Sequence, residues 1–180
     1  MASFQNRVIG AIQLQTTTFE EVEHDASATG QAAAVVAFVG VANGIFAVRA
    51  GLGSIPMAVI VQLLGWGLAS FVLLLVGTKL LPGRSTEADW GQMLRTVGFA
   101  ESAGVFNILG FVPVLGGLLP YLTGAWILIA MVVAVRQALD YESTTRAIVV
   151  CIIAWVLSIG LSLIGSLLGL TGTVVSSSPS

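Results

Sequence analysis

Residues 55–76 read IPMAVIVQLLGWGLASFVLLLV and contain no charged side chain. A helix that crosses the hydrocarbon core of a bilayer needs about 20 predominantly apolar residues. This stretch is long enough, and the first charge after it is Lys79. It therefore predicts a transmembrane helix, and with it a membrane protein.

The composition of the whole chain agrees with this prediction. Of the 180 residues, 56% are hydrophobic and only 9% are charged, whereas soluble domains carry charge at about 25% of positions. So few charges do not cover a surface that faces water, and we expect membrane lipids to surround the protein. The net charge of -2 gives no reason to expect a nucleic-acid partner.

Four other apolar stretches are predicted to cross the membrane, which makes five in all. The predicted spans are residues 30–48, 55–76, 97–112, 121–135 and 147–170. The third and fourth are short, and PVLGGLLP separates them because closely spaced Pro and Gly break a helix. The expected fold is therefore an all-α, polytopic bundle of five transmembrane helices.

The basic residues indicate how this bundle is oriented. Basic residues concentrate in cytoplasmic loops. A cytoplasmic N-terminus and an outside C-terminus leave only Arg49 outside, and place six basic residues inside: Arg7, Lys79, Arg84, Arg95, Arg136 and Arg146. A four-span model, in which the third stretch only dips into the membrane, loses this asymmetry.

Residues 1–29 are predicted to form a cytoplasmic amphipathic segment before the membrane domain, residues 30–170. One face of its first helix carries Phe4, Val8, Ile9 and Ile12. The pair Thr17 and Glu20 fits a capping box at the start of a second helix. Residues 171–180 are uncharged and are predicted to be a flexible tail.

A similar amphipathic helix is predicted between the second and third spans, with Ser85 or Thr86 as its N-cap. Its apolar stripe comprises Trp90, Met93, Leu94 and Val97. We expect this helix and the N-terminal ones to lie on the cytoplasmic face as interfacial helices.

The residues of the common catalytic sites are missing from the predicted spans. The only histidine, His24, and the three aspartates lie outside them, which excludes bis-His haem ligation, a Ser–His dyad and an aspartyl pair within the bilayer. One Cys and one His do not form a zinc site, and no Gly-rich loop continues into the Lys-Ser or Lys-Thr of a phosphate-binding loop. We therefore predict no enzymatic activity, cofactor or metal; His24 is interpreted as a solvated residue, with a single bond to a metal or pigment as the alternative.

Two pairs of glycines are predicted to be helix-packing seams. Gly40 and Gly44 lie in the first span, and Gly165 and Gly169 in the last. Small residues four apart let helix backbones approach closely in a membrane. The seams either pack helices within the chain or bind a partner or a second copy.

Glu101 and Asn107 form a possible intramembrane polar site. A carboxylate in a membrane helix is costly, and such residues often mark an ion or proton path. One interpretation is structural, with a neutral Glu101 that donates a hydrogen bond to a carbonyl or to Asn43 or Gln62 on neighbouring spans. The other is a proton or cation site near the Pro/Gly corner.

Most of the chain resembles the Yip domain family, whose eukaryotic members interact with Ypt/Rab GTPases. The resemblance lies in an acidic lead-in (FEEVEHD), an amphipathic stretch (ADWGQMLRTVGFAES), the corner GFVPVLGGLLP, a Trp-containing fourth span (LTGAWILIAMVVAVRQAL) and the loop DYESTTRA. It implies five membrane helices, a cytoplasmic N-terminus and a role in membrane organisation or protein association. The Asp-Leu-Tyr-Gly-Pro type motif is missing, so no GTPase-binding residues carry over, and a prokaryotic member in a bacterial inner membrane is expected.

Three hypotheses for function follow. The first is a non-catalytic scaffold or accessory subunit that binds a protein partner or itself through helix–helix contacts. The second is a small transporter or proton- or cation-conducting component that uses Glu101. The third is an adaptor that recruits a GTPase through residues 1–25.

Overall fold

The computed structural model describes residues 2–49, 51, 53–83 and 86–167, and all the regular structure in them is helical. The elements are α1 (Phe4–Ile12), α2 (Thr16–His24), α3 (Ala28–Arg49), α4 (Ile55–Leu75), a π-helical turn (Val76–Leu80), α5 (Trp90–Ala100), a 3₁₀ helix (Glu101–Phe111), α6 (Pro113–Gly116), α7 (Leu119–Ala138) and α8 (Thr144–Leu167). The prediction of an all-α fold is confirmed.

Three stretches in the described part of the chain are long and apolar enough to cross a membrane: Ala28–Ile45, Ile55–Leu80 and Leu119–Ala138. A shorter apolar stretch covers Thr144–Gly160 of α8. These stretches overlap the predicted first, second, fourth and fifth spans. The end of the fifth, residues 168–170, and the predicted tail, residues 171–180, lie outside the described residues. They carry large apolar side chains on their outer surfaces, as expected where lipid replaces water.

The predicted third span, residues 97–112, belongs to a longer rod of two helix types that begins at Trp90. The α-helix α5 runs directly into the 3₁₀ helix at Glu101. At about 1.5 and 2.0 Å per residue, the two parts are about 16 and 22 Å long. The rod packs against α3, α4 and α7, while α8 packs against α7 and α4.

The first half of this rod differs from the sequence-based prediction. The segment from Trp90 to Val97 was expected to lie on the membrane surface as a separate helix. Instead it belongs to the rod, and both Met93 and Val97 are fully buried among neighbouring helices. The indole of Trp66 in α4 also donates a hydrogen bond to the backbone oxygen of Leu94, at 3.0 Å.

The predicted cap of this helix is wrong, and its actual cap is Asp89. The Asp89 carboxylate accepts from the Gln92 backbone N–H at 2.9 Å, and the Gln92 side chain accepts from the Asp89 N–H at 2.7 Å. The Thr86 hydroxyl instead donates to the backbone oxygen of Leu139 at 3.0 Å, which ties the loop to the end of α7. Ser85 lies outside the described residues.

The N-terminal helices α1 and α2 pack against each other and against the bundle, α2 on α5 and α7. The predicted capping box of α2 is also wrong, because the helix begins at Thr16 after Gln15, and Thr17 already lies inside it. Phe4 and Ile9 of the predicted apolar face are exposed, at 42% and 52%. That face is therefore available to lipid or to another protein.

Candidate functional site

Five polar side chains form a hydrogen-bonded chain through the interior of the bundle, which we call the polar chain. The Thr123 hydroxyl lies 2.6 Å from Asn107 Oδ1, and Asn107 Nδ2 donates to Asn43 Oδ1 at 3.0 Å. Asn43 Nδ2 donates to Gln62 Oε1 at 3.3 Å, and Gln62 Nε2 donates to Glu101 Oε2 at 2.7 Å. The chain joins α7, the 3₁₀ helix, α3 and α4, and all its donors point towards the carboxyl group of Glu101.

The 3₁₀ conformation brings Glu101 and Asn107 onto the same side of the rod. With three residues per turn, positions six apart lie two full turns apart on one face. In an α-helix, at 3.6 residues per turn, the same two positions would point about 120° apart. A 3₁₀ run of 11 residues is longer than the usual three or four, and here its geometry is what aligns the polar groups.

Two glycines allow the helices that carry the polar chain to pack closely against one another. A Cβ atom at Gly104 of the 3₁₀ helix would lie 2.8 Å from Val39 Cγ1 of α3. A Cβ atom at Gly40 of α3 would lie 2.8 Å from Val59 Cα and 3.1 Å from Gln62 Cβ of α4. These close approaches let short amide side chains reach across between helices.

Every member of the polar chain has at least one hydrogen-bond partner within it. Glu101 is only 9% exposed, and its carboxyl group accepts from Gln62. Buried polar groups are costly when unpaired and stabilising when fully connected. Glu101 and Asn107 are connected only indirectly, through the side-chain amides of Gln62 and Asn43. An amide donates through nitrogen and accepts through oxygen, so it does not pass a proton along as a carboxyl or hydroxyl group would.

No group of three or more His, Cys, Asp or Glu side chains suited to a metal ion occurs among the described residues. The polar chain contains only one acid. Its chemistry is therefore that of an interhelical connection, which fixes the relative positions of four helices.

The glycine seams predicted from the sequence can be placed in part. Gly40 and Gly44 lie at the contact between α3 and α4, where a Cβ atom at Gly44 would lie 2.9 Å from Ile55 Cα. Both therefore pack helices within one chain. Gly165 is described only as part of the α8 backbone, and Gly169 lies outside the described residues.

A second polar cluster fastens the N-terminal helices. The Arg7 guanidinium is 2% exposed and donates to Glu21 at 2.9 Å, Asp25 at 2.6 Å and Gln31 at 3.0 Å. Hydrogen bonds from the Ser27 hydroxyl and from Arg7 lower the pKa of Asp25 to about 2. This cluster joins α1, α2 and the start of α3.

Two contacts hold the ends of α1 and α2 on the bundle. Arg95 of α5 donates to the backbone oxygens of Val22 and Glu23, at the C-terminus of α2. The Trp126 indole of α7 donates to the backbone oxygen of Ile12, at the C-terminus of α1, at 2.8 Å. Terminal carbonyls have no partner within their own helix, and here the bundle supplies one.

His24 lies at the end of α2, outside the long apolar helices. Its Nδ1 is 2.9 Å from the backbone oxygen of Glu20. That hydrogen bond, together with the charge of Glu23, raises the pKa of His24. The placement agrees with the interpretation of His24 as a residue at the surface of the bundle.

Sequence reasoning found four of the five members of the polar chain and missed Thr123. It named Asn43 and Gln62 as candidate acceptors of a hydrogen bond from Glu101. Gln62 is the partner, but the direction is reversed, because Gln62 Nε2 donates and Glu101 accepts. The missed signal is the period of three in ESAGVFNILG, which places Glu101, Gly104, Asn107 and Gly110 on one face of a 3₁₀ helix. The Thr123 hydroxyl also lies within hydrogen-bond distance of the Leu119 backbone oxygen, four residues earlier in the same helix. Because a threonine in a helix is satisfied in this way by its own backbone, the sequence did not mark it as a partner of Asn107.

One comparison with known proteins finds a match: a family model described as the Yip1 domain matches residues 11–166, most of the chain. The match includes the long apolar helices and all five members of the polar chain. No curated protein and no solved structure matches the chain.

Proposed function

Because the chain belongs to the Yip1 domain family, we propose that this integral membrane protein acts without catalysis, as a scaffold or an accessory subunit of a membrane assembly. It would bind its partner, or a second copy of itself, by helix–helix contacts within the bilayer.

We also propose that the chain crosses the membrane five times. The rod formed by α5 and the 3₁₀ helix is about 38 Å long at standard rises, which exceeds the hydrocarbon thickness of about 30 Å. With this rod counted as a span, the two termini lie on opposite sides of the membrane. We infer from the distribution of basic residues that the N-terminus is cytoplasmic and the C-terminus outside. A bacterial inner membrane is the proposed location.

The observation that carries the proposed function is the outer face of α4. Its side chains are large, apolar and exposed: Met57, Ile60, Val61, Leu64 and Leu68. Gly65 lies on the same face, and a Cβ atom there would meet nothing within 4 Å. Small residues on a membrane-facing helix surface permit close approach of another helix.

The interior supports the same function. Asn43, Gln62, Glu101, Asn107 and Thr123 are engaged in the polar chain, while the buried hydroxyls of Ser70 and Ser102 have no partner among the described residues. None of these groups forms a path between the two ends of the bundle, so association through the outer surface is the proposed way to act on another molecule. A transporter needs a path that opens to both sides, whereas the polar chain connects helices across the bundle.

The experiment is purification of the full chain from its native membrane in a mild detergent, followed by identification of the proteins that co-migrate with it. The variant Gly65→Leu fills the gap on the α4 face without an internal clash. Its matched control is Gly124→Leu on α7, where a Cβ atom also meets nothing within 4 Å. We expect a co-migrating partner or second copy that Gly65→Leu removes and Gly124→Leu retains.

Two results would overturn the proposal. One is a wild-type protein that migrates as a single copy without a partner. The other is reconstituted protein that dissipates an ion gradient and loses this activity in Glu101→Gln, which would favour the transporter hypothesis.

A further inference from the structure

A pocket of about 270 Å³ lies between the end of α2 and the turn that joins α7 to α8. We call it the acidic pocket. Its walls are formed by Glu20, Glu23, His24, Arg136, Gln137, Asp140, Tyr141 and Glu142. It is separate from the polar chain and contains none of its residues.

Negative charge predominates in this pocket. Four carboxyl groups line it, from Glu20, Glu23, Asp140 and Glu142, against the guanidinium of Arg136 and the imidazole of His24. The guanidinium of Arg146 lies over the Tyr141 ring, 5.7 Å from its centroid. Part of the donor capacity of Arg136 is already used, since its Nε donates to the backbone oxygen of Tyr141 at 3.2 Å. The pocket therefore favours a cation.

Glu23 is the residue that makes this more than a cluster of surface acids. It is 3% exposed, and no described residue forms a hydrogen bond or ion pair with its carboxyl group. Arg95 lies close by, but its guanidinium donates to the backbone oxygens of Val22 and Glu23. The carboxyl oxygens of Glu23 are not among the fully enclosed atoms without a partner, and Glu23 lines the pocket. A donor bound in the pocket would therefore meet an acceptor that no described residue satisfies.

The arrangement suits an organic cation better than a metal ion. A metal needs several ligand atoms within about 2 to 2.6 Å, and the described residues bring no three acids or imidazoles together in that way. An ammonium group has three N–H donors and tolerates ligands spread over a wider space. The volume of about 270 Å³ also admits a short alkyl stem.

We propose that the acidic pocket binds the ammonium group of an alkylamine, with Glu23 as the buried acceptor and Asp140 and Glu20 at the rim. The tyrosine of the pocket takes no part as a donor, because its hydroxyl contacts the backbone oxygens of Gly77 and Leu81 at 3.0 and 2.6 Å. This inference is independent of the proposed scaffold function.

The titration of the pocket agrees with this assignment. Burial raises the pKa of Glu23 to about 7, with the nearby carboxylates of Asp140 and Glu20 adding to the rise and His24 and Arg95 opposing it. A cation beside Glu23 favours the ionised carboxylate and lowers its pKa. Binding should therefore release a proton near pH 7 and strengthen as the pH rises to 8.

The test uses the full chain in phosphatidylcholine nanodiscs at pH 8, titrated with n-butylammonium chloride in a calorimeter. Glu23→Gln keeps the size of the side chain and removes its charge. Asp140→Asn keeps a residue type that tolerates the left-handed backbone found there, where φ is 50°. We expect each variant to weaken binding about tenfold or more, the usual scale for losing a charge-assisted hydrogen bond.

The matched control is Glu87→Gln, which removes one exposed carboxylate outside the pocket and should change the affinity less than twofold. Tetramethylammonium chloride, a cation without N–H donors, should bind much more weakly than butylammonium. The inference is overturned if the wild type shows no saturable binding, if tetramethylammonium binds equally well, or if Glu87→Gln weakens binding as much as Glu23→Gln.

Two further arms identify the source of the ammonium group. N-acetyl-lysine methylamide binding more tightly than butylammonium would indicate the lysine side chain of a protein partner. Loss of butylammonium binding in nanodiscs that contain phosphatidylethanolamine would indicate a lipid headgroup. Either result supports the pocket as an ammonium site. If neither is observed while butylammonium still binds, the ligand is a small free amine.

Discussion

The polar chain and the acidic pocket are both built from polar groups that helices bring together, yet they differ in how those groups are satisfied. Along the polar chain, each side chain donates to the next, from Thr123 to Glu101. In the acidic pocket, the carboxyl group of Glu23 is buried without a hydrogen-bond partner among the described residues. The members of the polar chain bind each other, whereas the carboxyl group of Glu23 remains available to a ligand.

This difference separates structural polarity from polarity available to a ligand. A connected polar network rigidifies the elements that it joins. A buried group that lacks a partner raises the free energy of the folded state until something binds it. Disturbing the polar chain should therefore reduce stability, whereas neutralising the acidic pocket should increase it.

The largest effect is expected where the polar chain depends on close helix packing. A Leu side chain at Gly40 would clash with the backbone of Val59, where even a Cβ atom comes within 2.8 Å of Cα. Such overpacking would push α3 away from α4 and break the bond between Asn43 and Gln62. We expect Gly40→Leu to lower the free energy of unfolding by about 3 kcal/mol.

Thermal unfolding in detergent, followed by near-UV circular dichroism, measures this effect. The control is Gly124→Leu in α7, where a Cβ atom meets nothing within 4 Å and the change should stay within about 0.5 kcal/mol. Equal losses in the two variants would show that the α3–α4 contact does not depend on Gly40.

A smaller loss is expected from removing the central link of the polar chain. Asn43→Ala leaves the acceptor of Gln62 and the donor of Asn107 without their partners. Buried polar groups left unpaired cost about 1–3 kcal/mol, although interhelical hydrogen bonds in membranes average about 0.6 kcal/mol. We expect a loss of about 1–2 kcal/mol in the same unfolding measurement.

The exposed Asn6 of α1 provides the control for this substitution, since only its backbone N–H takes part in a described hydrogen bond. Asn6→Ala should change the free energy of unfolding by less than about 0.5 kcal/mol. A loss for Asn43→Ala no greater than that would remove the polar chain as a stabilising element.

The acidic pocket gives a pH-dependent effect of the opposite sign. The pKa of Glu23 is raised from 4.5 to about 7 by burial, so the folded state retains a proton that the unfolded state has lost. The stability of the wild-type protein relative to Glu23→Gln is then greatest below pH 4.5, and this stability falls as the pH rises from 4.5 through about 7. We expect the variant to unfold a few degrees above the wild type at pH 8.

The comparison of the two unfolding temperatures from about pH 3 to pH 8 measures this effect. The difference should vanish at the acid end, where Glu23 is protonated in both states. The charge of Glu23 contributes to the raised pKa of His24, so the same comparison is repeated in a His24→Gln background, where the pH-dependent difference should persist. A constant difference across the pH range would contradict a buried, unpartnered Glu23.

The two regions also differ in how far the sequence predicted them. Glu101 and Asn107 stand out as polar residues within apolar stretches, and this local contrast identified them. Their connection depended on a 3₁₀ geometry, because the α-helical period expected for a span turns the two residues away from each other. The spans themselves followed from length and composition, which the bilayer constrains strongly.

The acidic pocket left no comparable signal in the sequence. Glu23 and Asp140 are far apart along the chain and meet only because α2 packs against the end of α7. The helix caps show the same limit on a smaller scale. Both Thr17 with Glu20 and Asp89 with Gln92 have a capping-box pattern, but only the second forms one, since tertiary packing decides where each helix begins.

The smallest effect is expected at the end of the polar chain, in Glu101→Gln. The glutamine side chain keeps an oxygen that accepts from Gln62 Nε2, the hydrogen bond that is 2.7 Å long in the wild type. We expect the free energy of unfolding to change by less than about 1 kcal/mol. Glu101→Leu removes the acceptor, strands the Gln62 donor and should cost about 1–3 kcal/mol.

The pair of substitutions separates the hydrogen bond from the charge. If the acceptor atom is what Glu101 contributes, the glutamine variant stays close to the wild type and the leucine variant does not. Equal losses in both would mean that the carboxyl group has a role that an amide cannot fill, as a proton or cation site would require. The polar chain would then be open at Glu101, and the contrast with the acidic pocket would no longer hold.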